Sequence, residues 1–476
     1  MRRVRPPYGR QTRVLLAIPN QRWAQNMEWS IHPYALCQLA SMIENNYEVK
    51  ILDANVDNLS PPEVLGEIIK FSPDILGVSV LANAYKKAAF TLFEMAKSFN
   101  SDIVTIIGGV FTTTRPDAAF ECSSIDYGVM GEGEFVLPQL LDFITCKIEL
   151  LPQEGIIYRE ANKLVIKPQK TFIQDLDTLP FPNYNYVDYS KYSTTFRKSV
   201  EAPRALPYGK IITSRGCPIG CIFCQVENIS GKNTRYKSAE KVVEEIQILI
   251  NQFGIKAIEF EDDNFLGSIK RTKRLFELMI LKNWDLVWNA MNVSVFFLNE
   301  EILDLMKASK CQYLSMAIES GSPRVLKEII NKPVNLEHAK KMAAYAKKIG
   351  IDTTSLFVIG FPGETWDEIR QTIRFAEELG TDYVKFNVAT AFPGTKLHDL
   401  AIKAQSLDPT FDFDNIQWGE AGISTSEFSA KQLTILRALE WDRVNFSSEE
   451  KFLKIASMMN ISQDELKQVR RRTISI

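Results

Sequence analysis

Residues 210–225 read "KIITSRGCPIGCIFCQ" and place Cys217, Cys221 and Cys224 at C-x-x-x-C-x-x-C spacing, directly after a short apolar run. Two glycines and a proline inside the stretch do not continue a strand or a helix easily. We therefore expect the chain to wrap here as a tight loop in which three sulfur atoms converge. Such a loop predicts a metal site.

The number of ligands narrows the choice of metal. Structural zinc takes four tetrahedral ligands, and no histidine or fourth cysteine lies near the loop in the sequence. An iron–sulfur cluster that only transfers electrons also takes four cysteines. Three cysteines would leave one iron of a 4Fe-4S cluster open to a substrate. A zinc site and three ordinary cysteines in a loop are the alternatives.

The cysteine loop, with Phe223 just before its last cysteine, resembles that of the radical S-adenosylmethionine (SAM) enzymes. The resemblance implies that the three cysteines bind a 4Fe-4S cluster and that Phe223 belongs to the cofactor site. It also implies that the amino and carboxylate groups of SAM chelate the open iron. The cysteines are then cluster ligands rather than nucleophiles.

Length and composition are those of an ordinary protein with several domains. The 476 residues are 45% hydrophobic and 24% charged, and the formal net charge of -2 gives no reason to expect nucleic acid as a partner. No segment approaches the ~18 apolar residues of a membrane helix. Four further cysteines are scattered, which indicates buried thiols in a reducing compartment, so we expect a cytoplasmic protein.

Residues 1–150 are predicted to form an α/β domain with a doubly wound parallel sheet of the Rossmann-like kind, because apolar runs alternate with helix-like segments. The runs are residues 13–18, 48–53, 74–81 and 103–110. Ligands bind beyond the carboxyl ends of such strands. The candidate binding residues at those ends are Asn20, Asp53, Asn55, Ser79, Val80, Leu81, Gly108, Gly109, Val110, Gly131, Glu132, Gly133 and Glu134.

Together these strand ends resemble the cobalamin-binding domain that precedes the radical SAM domain in one branch of that family, and "GVMGEGEFVLPQLL" (128–141) is similar to its closing strand and helix. One departure is that "LDANVDNL" stands where other cobalamin domains carry Asp-x-His-x-x-Gly. The resemblance therefore implies cobalamin bound without a histidine below the cobalt, with His32 as the alternative axial ligand. The double glycine 108–109 would let backbone approach a bulky ligand, or form a simple turn.

Residues 151–204 are expected to connect this domain to the next. Residues 155–168 predict a small hairpin. Residues 175–192 predict an extended strap, because two prolines and four tyrosines follow no helical or strand period. The tyrosines line a substrate channel or pack the strap on its neighbours.

Residues 205–400 are predicted to form a partial, open (β/α)6 barrel, because six strand-like runs alternate with capped helices. The runs are 210–214, 256–261, 286–290, 312–318, 354–359 and 383–389. Reactive groups gather at the carboxyl ends of barrel strands, and the cysteine loop follows the first strand. The resemblance assigns further cofactor contacts to these ends, namely Glu261, Asp262 and Asp263 to the SAM ammonium, Glu319 and Ser320 to the ribose, Gly360 to the adenine, and Asn387 to the end of the sixth strand. Acids at a strand end are otherwise helix caps.

Residues 401–476 predict a small helical region in which Ser462 and Glu465 form a capping box. We expect these helices to cover a hydrophobic face. Alternatively they close the open barrel over the substrate, with Trp441 and Arg443 in the pocket wall.

The whole arrangement resembles the cobalamin-dependent radical SAM methylases and implies their chemistry. An external donor such as flavodoxin or ferredoxin reduces the cluster, and SAM yields a 5'-deoxyadenosyl radical that removes hydrogen from an unactivated carbon. The carbon then takes a methyl group from methylcobalamin. The expected substrate is a small molecule or natural-product precursor. The alternatives are a ring-forming enzyme of the tetrapyrrole cyclase type, a methylthiotransferase and a non-enzymatic cobalamin sensor.

Overall fold

The apolar runs of the sequence form the strands of two large sheets, one in each of two units. The computed structural model describes residues 2–4, 9–24, 32–194, 199–414 and 419–474. The first unit comprises Met1–Tyr192, Asn228–Gly231 and Asp412–Ile416, and the second comprises the rest of the chain. None of the helices in the described part of the chain has both the length and the apolar composition that crossing a membrane requires.

The first unit contains a seven-stranded sheet. Its strands are β1 (Arg13–Ile18), β2 (Glu48–Asp53), β3 (Ile75–Ser79), β4 (Val104–Gly108), β5 (Tyr127–Val129), β6 (Ile156–Glu160) and β7 (Lys163–Lys167). Their order is β2-β1-β3-β4-β5-β6-β7, and pairing is parallel as far as β5. The central strands are buried on both faces, which is why they are almost continuously apolar. The doubly wound sheet expected from the sequence is confirmed.

Helices connect these strands and bury the apolar side chains of the sheet. They are α1 (Tyr34–Ile43), α2 (Pro61–Phe71), α3 (Lys86–Phe99), α4 (Val110–Thr114), α5 (Pro116–Ala119), α6 (Gly133–Ile144) and α7 (Ser190–Ser193). Ser60 and Glu63 form a capping box at the start of α2, where two prolines occupy the first turn. The core around Leu15, Leu76 and Phe93 is fully buried.

The hairpin of β6 and β7 extends the first sheet. β6 pairs antiparallel with β5, and β7 pairs antiparallel with β6. The turn residues Ala161 and Asn162 have φ angles of 46° and 62°, as a two-residue hairpin turn of the favoured type requires. The first unit therefore continues to Tyr192, whereas the sequence pattern had placed the hairpin in a connector that begins at residue 151.

The second unit contains a six-stranded parallel sheet and a short two-stranded one. Its strands are β8 (Tyr208–Ile211), β9 (Ser214–Arg215), β10 (Arg235–Tyr236), β11 (Ala257–Phe260), β12 (Val287–Val293), β13 (Cys311–Glu319), β14 (Asp352–Ile359) and β15 (Tyr383–Val388). The large sheet has the order β15-β14-β13-β12-β11-β8 with every pair parallel. This is the predicted partial barrel, with the strand order of the sequence.

Helices follow the barrel strands, and several of them begin at a side-chain cap. They are α8 (Val226–Ser230), α9 (Ala239–Phe253), α10 (Ile269–Lys282), α11 (Glu300–Ala308), a π-helix (Val325–Ile330), α12 (Leu336–Lys348), α13 (Trp366–Leu379), α14 (Lys396–Lys403), α15 (Ala430–Asn445), α16 (Glu449–Met459) and α17 (Gln463–Ile474). The Ser238 side chain accepts from the N–H of Lys241, and Thr365 with Glu368 forms a capping box.

Helix α15 covers the free edge of the last barrel strand. The Asn445 side chain donates to the carbonyl of Val384 at 2.8 Å and accepts from its N–H at 2.7 Å. Trp441, one turn earlier, is buried and donates from Nε1 to the Tyr383 hydroxyl at 2.7 Å. Arg443 is half-exposed and pairs with the carboxylates of Glu377 and Glu440. Helix α15 therefore packs along the edge of the large sheet, and both interpretations of the tail stay predictions.

Candidate active site

The three cysteines lie in the loop that follows β8, at the carboxyl end of the barrel. Gly216 and Gly220 have φ angles of 85° and 69°, a conformation that other residues adopt only at a cost, so these glycines shape the loop. The thiols of Cys217, Cys221 and Cys224 are partly buried and lie close enough to influence one another electrostatically. Burial raises the pKa of Cys221 to about 12. The three thiols are thus near one another, and their binding of a cluster stays a prediction.

The cysteine loop is braced by backbone hydrogen bonds to the ends of two other elements. The Ile222 N–H donates to the carbonyl of Ile330 at 3.1 Å, and the Leu397 N–H donates to the carbonyl of Ile222 at 2.9 Å. The Gln225 side chain donates to the carbonyl of Pro393 at 2.9 Å. The loop therefore has a conformation fixed by the π-helix and by the start of α14.

Two of the acids at the end of β11 hold this loop. The Asp262 carboxylate accepts from the N–H and the hydroxyl of Thr213 and from the Ser214 hydroxyl, while Asp263 accepts from the Gly216 N–H at 2.8 Å. Burial raises the pKa of Asp262. These contacts end β8 earlier than the sequence pattern suggested, because Thr213 and Ser214 turn toward the acid. Binding of the SAM ammonium by these acids stays a prediction.

Glu261 belongs to a buried charge cluster that the sequence reading missed. Lys210 donates to Glu261, and its Nζ lies 3.3 Å from the Glu259 carboxylate, to which it is a cross-strand neighbour. The side chains of Lys210 and Glu259 are 3% and 0% exposed, whereas that of Glu261 is 38% exposed. The sequence carried a signal for this cluster, because Lys210 and Glu259 stand within otherwise apolar strands. Charges buried in such strands require partners.

A second buried ion pair, Lys332 with Glu319, lies beside the cysteines. The Lys332 Nζ donates to Oε1 of Glu319 at 2.7 Å, and both side chains are at most 10% exposed. The ammonium is close enough to lower the pKa of all three cysteine thiols, against the larger effect of burial. Glu319 has a φ of 73° at a bulge that ends β13. Lys332 was not foreseen, because it is remote from the cysteines in sequence.

The Ser320 side chain is engaged by residues of the chain itself. Its hydroxyl lies 3.0 Å from the hydroxyl of Thr372 on α13 and accepts from the Ser322 N–H at 3.1 Å. Both interactions are fully buried. Of the two predicted ribose ligands, Glu319 is therefore the better placed, and its contact with SAM stays a prediction.

The end of β14 is shaped by α15 and by a buried glutamate. A Cβ on Gly360 would lie 2.4 Å from Leu433, so the space that the missing side chain leaves is filled from the tail. The Glu364 carboxylate accepts from the N–H groups of Gly360 and Phe361 at 2.6 and 3.0 Å. The Phe361 ring lies 5.9 Å from that of Phe223, which links this strand end to the cysteine loop.

Asn387 lies on the same face of β15 as Lys385, because side chains two residues apart share a face of a strand. Lys385 reaches Glu201 at 3.5 Å, and Ser315 of β13 donates to the same carboxylate at 3.4 Å. Side chains of β13 and β15, two strands that are not adjacent in the sheet, thus contact the same carboxylate. The face that carries Asn387 is therefore the interior of the barrel, and its role in cofactor binding stays a prediction.

In the first unit, several of the predicted residues line one cavity of about 120 Å³ at the carboxyl ends of β1, β2 and β3. They are Asp53, Asn55, Ser79 and Leu81, joined by His32. The Asp53 carboxylate accepts from the Tyr192 hydroxyl at 2.8 Å, and the His32 ring packs against Tyr192 with 5.3 Å between ring centres. This cavity is at the edge where the sheet was expected to bind its ligand.

Other predicted residues in this unit are engaged with the chain itself. Asn20 donates to Asn58 and to the carbonyl of Leu59. A Cβ on Gly109 would lie 2.5 Å from the carbonyl oxygen of Val80, so the chain's own backbone requires the glycine, and Gly108 has ordinary space. The double glycine is thus explained by a tight turn into α4, where Val110 begins the helix.

The "GEGE" turn is held by residues that directly follow the hairpin. A Cβ on Gly131 would lie 2.0 Å from the Gln169 side chain, which accepts from the Glu132 N–H at 2.6 Å. The Glu132 carboxylate accepts from the Ile173 N–H at 2.9 Å. A Cβ on Gly133 would lie 3.2 Å from the Leu39 side chain, and Glu134 is buried in the first turn of α6. Contact of this turn with cobalamin stays a prediction.

The cysteine loop supplies three thiols and no further cysteine or histidine close by in the sequence. Within the described residues, no group of three or more histidine, cysteine, aspartate or glutamate side chains is spaced to hold one metal ion. A mononuclear zinc site would need four such ligands on one centre. In a cubane cluster each cysteine binds its own iron, so three neighbouring thiols suffice for three of the four irons.

Two family profiles match the chain. The profile of the radical SAM superfamily matches residues 211–376, and that of the B12 binding domain matches residues 25–141. The first range begins at the end of β8 and contains the cysteine loop. The second covers the strand ends around the cavity, apart from β1.

Related proteins match over most of their length. An uncharacterized methyltransferase of Pyrococcus horikoshii is 34% identical over 406 residues, which is 85% of this chain and 85% of that protein. Cytidylyl-2-hydroxyethylphosphonate methyltransferase of Streptomyces wedmorensis is 28% identical over 454 residues, 85% of this chain and 84% of that protein. The radical SAM methyltransferase TsrM of Kitasatospora setae, solved with cobalamin and a [4Fe-4S] cluster, has a TM-score of 0.69 at 22% identity over 84% of this chain and 76% of that one. This last likeness shows the fold.

Proposed function

Because this chain belongs to the cobalamin-dependent radical SAM methyltransferases, we propose that it transfers a methyl group to an unactivated carbon of a small-molecule precursor. The observation that carries the proposal is the braced three-cysteine loop at the carboxyl end of the barrel. Three thiols satisfy three irons and leave the fourth for SAM, which a purely electron-transferring site would not do.

When bound, the 4Fe-4S cluster, SAM and cobalamin would supply the electron, the hydrogen-abstracting radical and the methyl group. The chain's own contribution is to hold and orient them. Cys217, Cys221 and Cys224 would ligate the cluster. Asp262 and Asp263 fix the loop that carries these thiols, and Glu319, held by Lys332, presents a carboxylate beside it.

The cavity in the first unit supports cobalamin binding. It lies where parallel sheets bind ligands, and its polar lining of Asp53, Asn55 and Ser79 suits the amide and hydroxyl groups of a corrinoid. Asp53 keeps one oxygen on Tyr192 and the other on the N–H groups of Asn55 and Val56, so its orientation is fixed. This polar lining does not require a histidine below the cobalt. The position of His32 does not require one either.

The test is anaerobic reconstitution with iron, sulfide and cobalamin, followed by addition of a reductant and SAM. We expect 5'-deoxyadenosine to form, and we expect Cys221→Ala to abolish it together with most of the bound iron. Cys146→Ala is the matched control, because this cysteine is exposed and lies outside the loop. Formation of 5'-deoxyadenosine by the Cys221 variant at the wild-type rate would overturn the cluster assignment.

Methyl transfer is tested with SAM that carries an isotopic label in its methyl group. A methyltransferase places the label in the cobalamin fraction even without substrate, provided that the cobalt is reduced. A ring-forming enzyme that uses cobalamin in another way, or a sensor without catalysis, would leave the fraction unlabelled. The names of the relatives favour the first result.

The proposal also includes an electron donor and a location in the cell. The cluster accounts for every cysteine of the loop, so none is left there for a second redox centre. The electron therefore comes from an external protein such as a flavodoxin or a ferredoxin. The cytoplasm is the proposed location, since the cysteines outside the loop are free thiols, as in a reducing compartment.

A further inference from the structure

Arg437, in the middle of α15, carries a guanidinium group that no acidic side chain balances. Its Nε is buried without a hydrogen-bond partner among the residues that the structure describes. Burial lowers the pKa of Arg437, and no carboxylate of the described chain raises it. A guanidinium has five N–H donors, and burying such a group without acceptors costs free energy. An arginine with no such partner in the described part of the chain indicates an acceptor from outside those residues.

The position of Arg437 is fixed by its neighbours on the helix. Leu433, one turn earlier, fills the space at Gly360, and Trp441, one turn later, donates to Tyr383. All three side chains are on one face of α15, because residues four apart in a helix are neighbours. The guanidinium also lies against Gly419, where a Cβ would be 2.7 Å from its Cζ. The group thus has a defined place along the open edge of the barrel.

Tyr383 shows which side of the barrel wall Arg437 faces. The two groups are close enough for Arg437 to influence the tyrosine, whose pKa burial raises to about 12. Tyr383 shares the interior face of β15 with Lys385, whereas Phe386 on the other face packs against Phe357 of β14. Arg437 is therefore beside a residue of the interior face of β15, which also packs against α16 and α17.

The charges that surround this position favour an anion. Lys385 has Glu201 as its neighbour at 3.5 Å, a distance at the limit of a hydrogen bond, and its side chain is 44% exposed. Glu201 is shared with Ser315. Glu201 is thus already engaged by Lys385 and Ser315, and it is not among the groups that influence Arg437. By contrast, Arg443 on the outer face of the same helix is fully paired with Glu377 and Glu440.

We propose that Arg437 binds a carboxylate or phosphate group of the substrate inside the barrel, so that the enzyme acts on an anionic small molecule. The planar guanidinium suits two parallel hydrogen bonds to such a group. The proposal rests on the proposed function, because it names the substrate class of the same barrel. It goes beyond that function in assigning a recognition residue to the tail, which the sequence pattern did not suggest.

The experiment measures binding of inorganic phosphate and of acetate to the reconstituted enzyme by calorimetry, as two separate probes. We expect saturable binding of at least one of them. Arg437→Met should weaken that binding by about tenfold or more, because a charge-assisted pair is lost. Arg437→Lys, which keeps the charge but not the planar fork, should weaken it less. Saturation by phosphate alone identifies a phosphoryl group, and saturation by acetate alone identifies a carboxylate.

Arg443→Met is the matched control, since it removes the same charge from the same helix on its outer face. We expect no change in binding for this variant. The melting temperature and iron content of every variant show that the second unit is folded. Equal binding by the wild type and Arg437→Met, or no saturable binding of either probe by the wild type, would overturn the proposal. Failure of the proposed function is distinguishable, because it appears as absent 5'-deoxyadenosine in the wild type.

Discussion

The ammonium of Lys332 lies 2.7 Å from Oε1 of Glu319, and this buried ion pair stands beside the three cysteines. Removing one partner of a buried pair leaves an uncompensated charge, which costs roughly 3–5 kcal/mol. We expect Lys332→Met to lower the free energy of unfolding by about that amount and the double variant with Glu319→Gln to recover much of it. Denaturant unfolding of the metal-free proteins measures both. Equal stability of the single and double variants would contradict the coupling.

The same ammonium should also favour the reduced state of a bound cluster, because reduction adds negative charge close to it. Lys332→Met should therefore lower the midpoint potential of the reconstituted cluster, as measured by an anaerobic redox titration without SAM. Lys327→Met is the control, since Lys327 is an exposed residue of the same π-helix. An unchanged potential in the Lys332 variant would show that the lysine only supports Glu319.

Asp262 should be needed for the cysteine loop to keep its shape. Asp262→Asn replaces a carboxylate oxygen with an N–H₂ group that faces donors from Thr213 and Ser214. Losing such buried hydrogen bonds costs about 1–3 kcal/mol. We expect iron incorporation on reconstitution to fall at least severalfold, as measured by the iron-to-protein ratio. Asp285→Asn, at an exposed surface ion pair, should bind iron normally. Full incorporation by both variants would refute this structural role.

The parts of the fold that the sequence predicted well are those set by local patterns. The six barrel strands are within a few residues of the predicted runs, because buried parallel strands must be apolar throughout. Cysteine spacing likewise located the loop, since the three thiols lie on one short segment. The helix cap formed by Ser462 with Glu465 was predicted from adjacent residues alone.

The parts that could not be predicted depend on residues distant in sequence. Lys332 reaches the cysteines only because a π-helix ends with Asn331 in the left-handed conformation and turns the chain back. Leu433 fills the space at Gly360 from the tail, so the glycine alone could not show what occupies it. The hairpin joins the first sheet through β5, and strand pairing of this kind leaves no local mark in the sequence.

Asn445 should stabilise the second unit by acting as a pairing partner for the edge strand β15. Asn445→Ala leaves the N–H and carbonyl of Val384 buried without acceptor and donor, so we expect a loss of about 2–4 kcal/mol in the free energy of unfolding. Asn251→Ala, at an exposed position of α9, should change stability by less than about 0.5 kcal/mol. Denaturant unfolding measures both variants, and a neutral Asn445→Ala would show that strand pairing at this edge is dispensable.

Glu364 should make stability depend on pH in the direction opposite to that of most carboxylates. Burial raises its pKa from 4.5 to about 7, and Oε1 has no hydrogen-bond partner in the described chain. The folded state therefore binds this proton more tightly than the unfolded state does. The resulting stabilisation is complete below pH 4.5 and is lost as the pH rises through about 7.

The raised pKa of Glu364 corresponds to a difference of roughly 3 kcal/mol in the free energy of unfolding between the low and the high end of this pH range. Glu364→Gln retains a side-chain oxygen that can accept from the N–H groups of Gly360 and Phe361. Because the glutamine side chain cannot ionise, we expect the variant to lose this part of the pH dependence. The variant should gain stability relative to the wild type at pH 8 and show little difference at pH 5. Unfolding curves of both proteins at the two pH values provide the measurement, with exposed Glu277→Gln as the control. Parallel pH dependence of the wild type and Glu364→Gln would mean that Glu364 stays ionised in the folded protein.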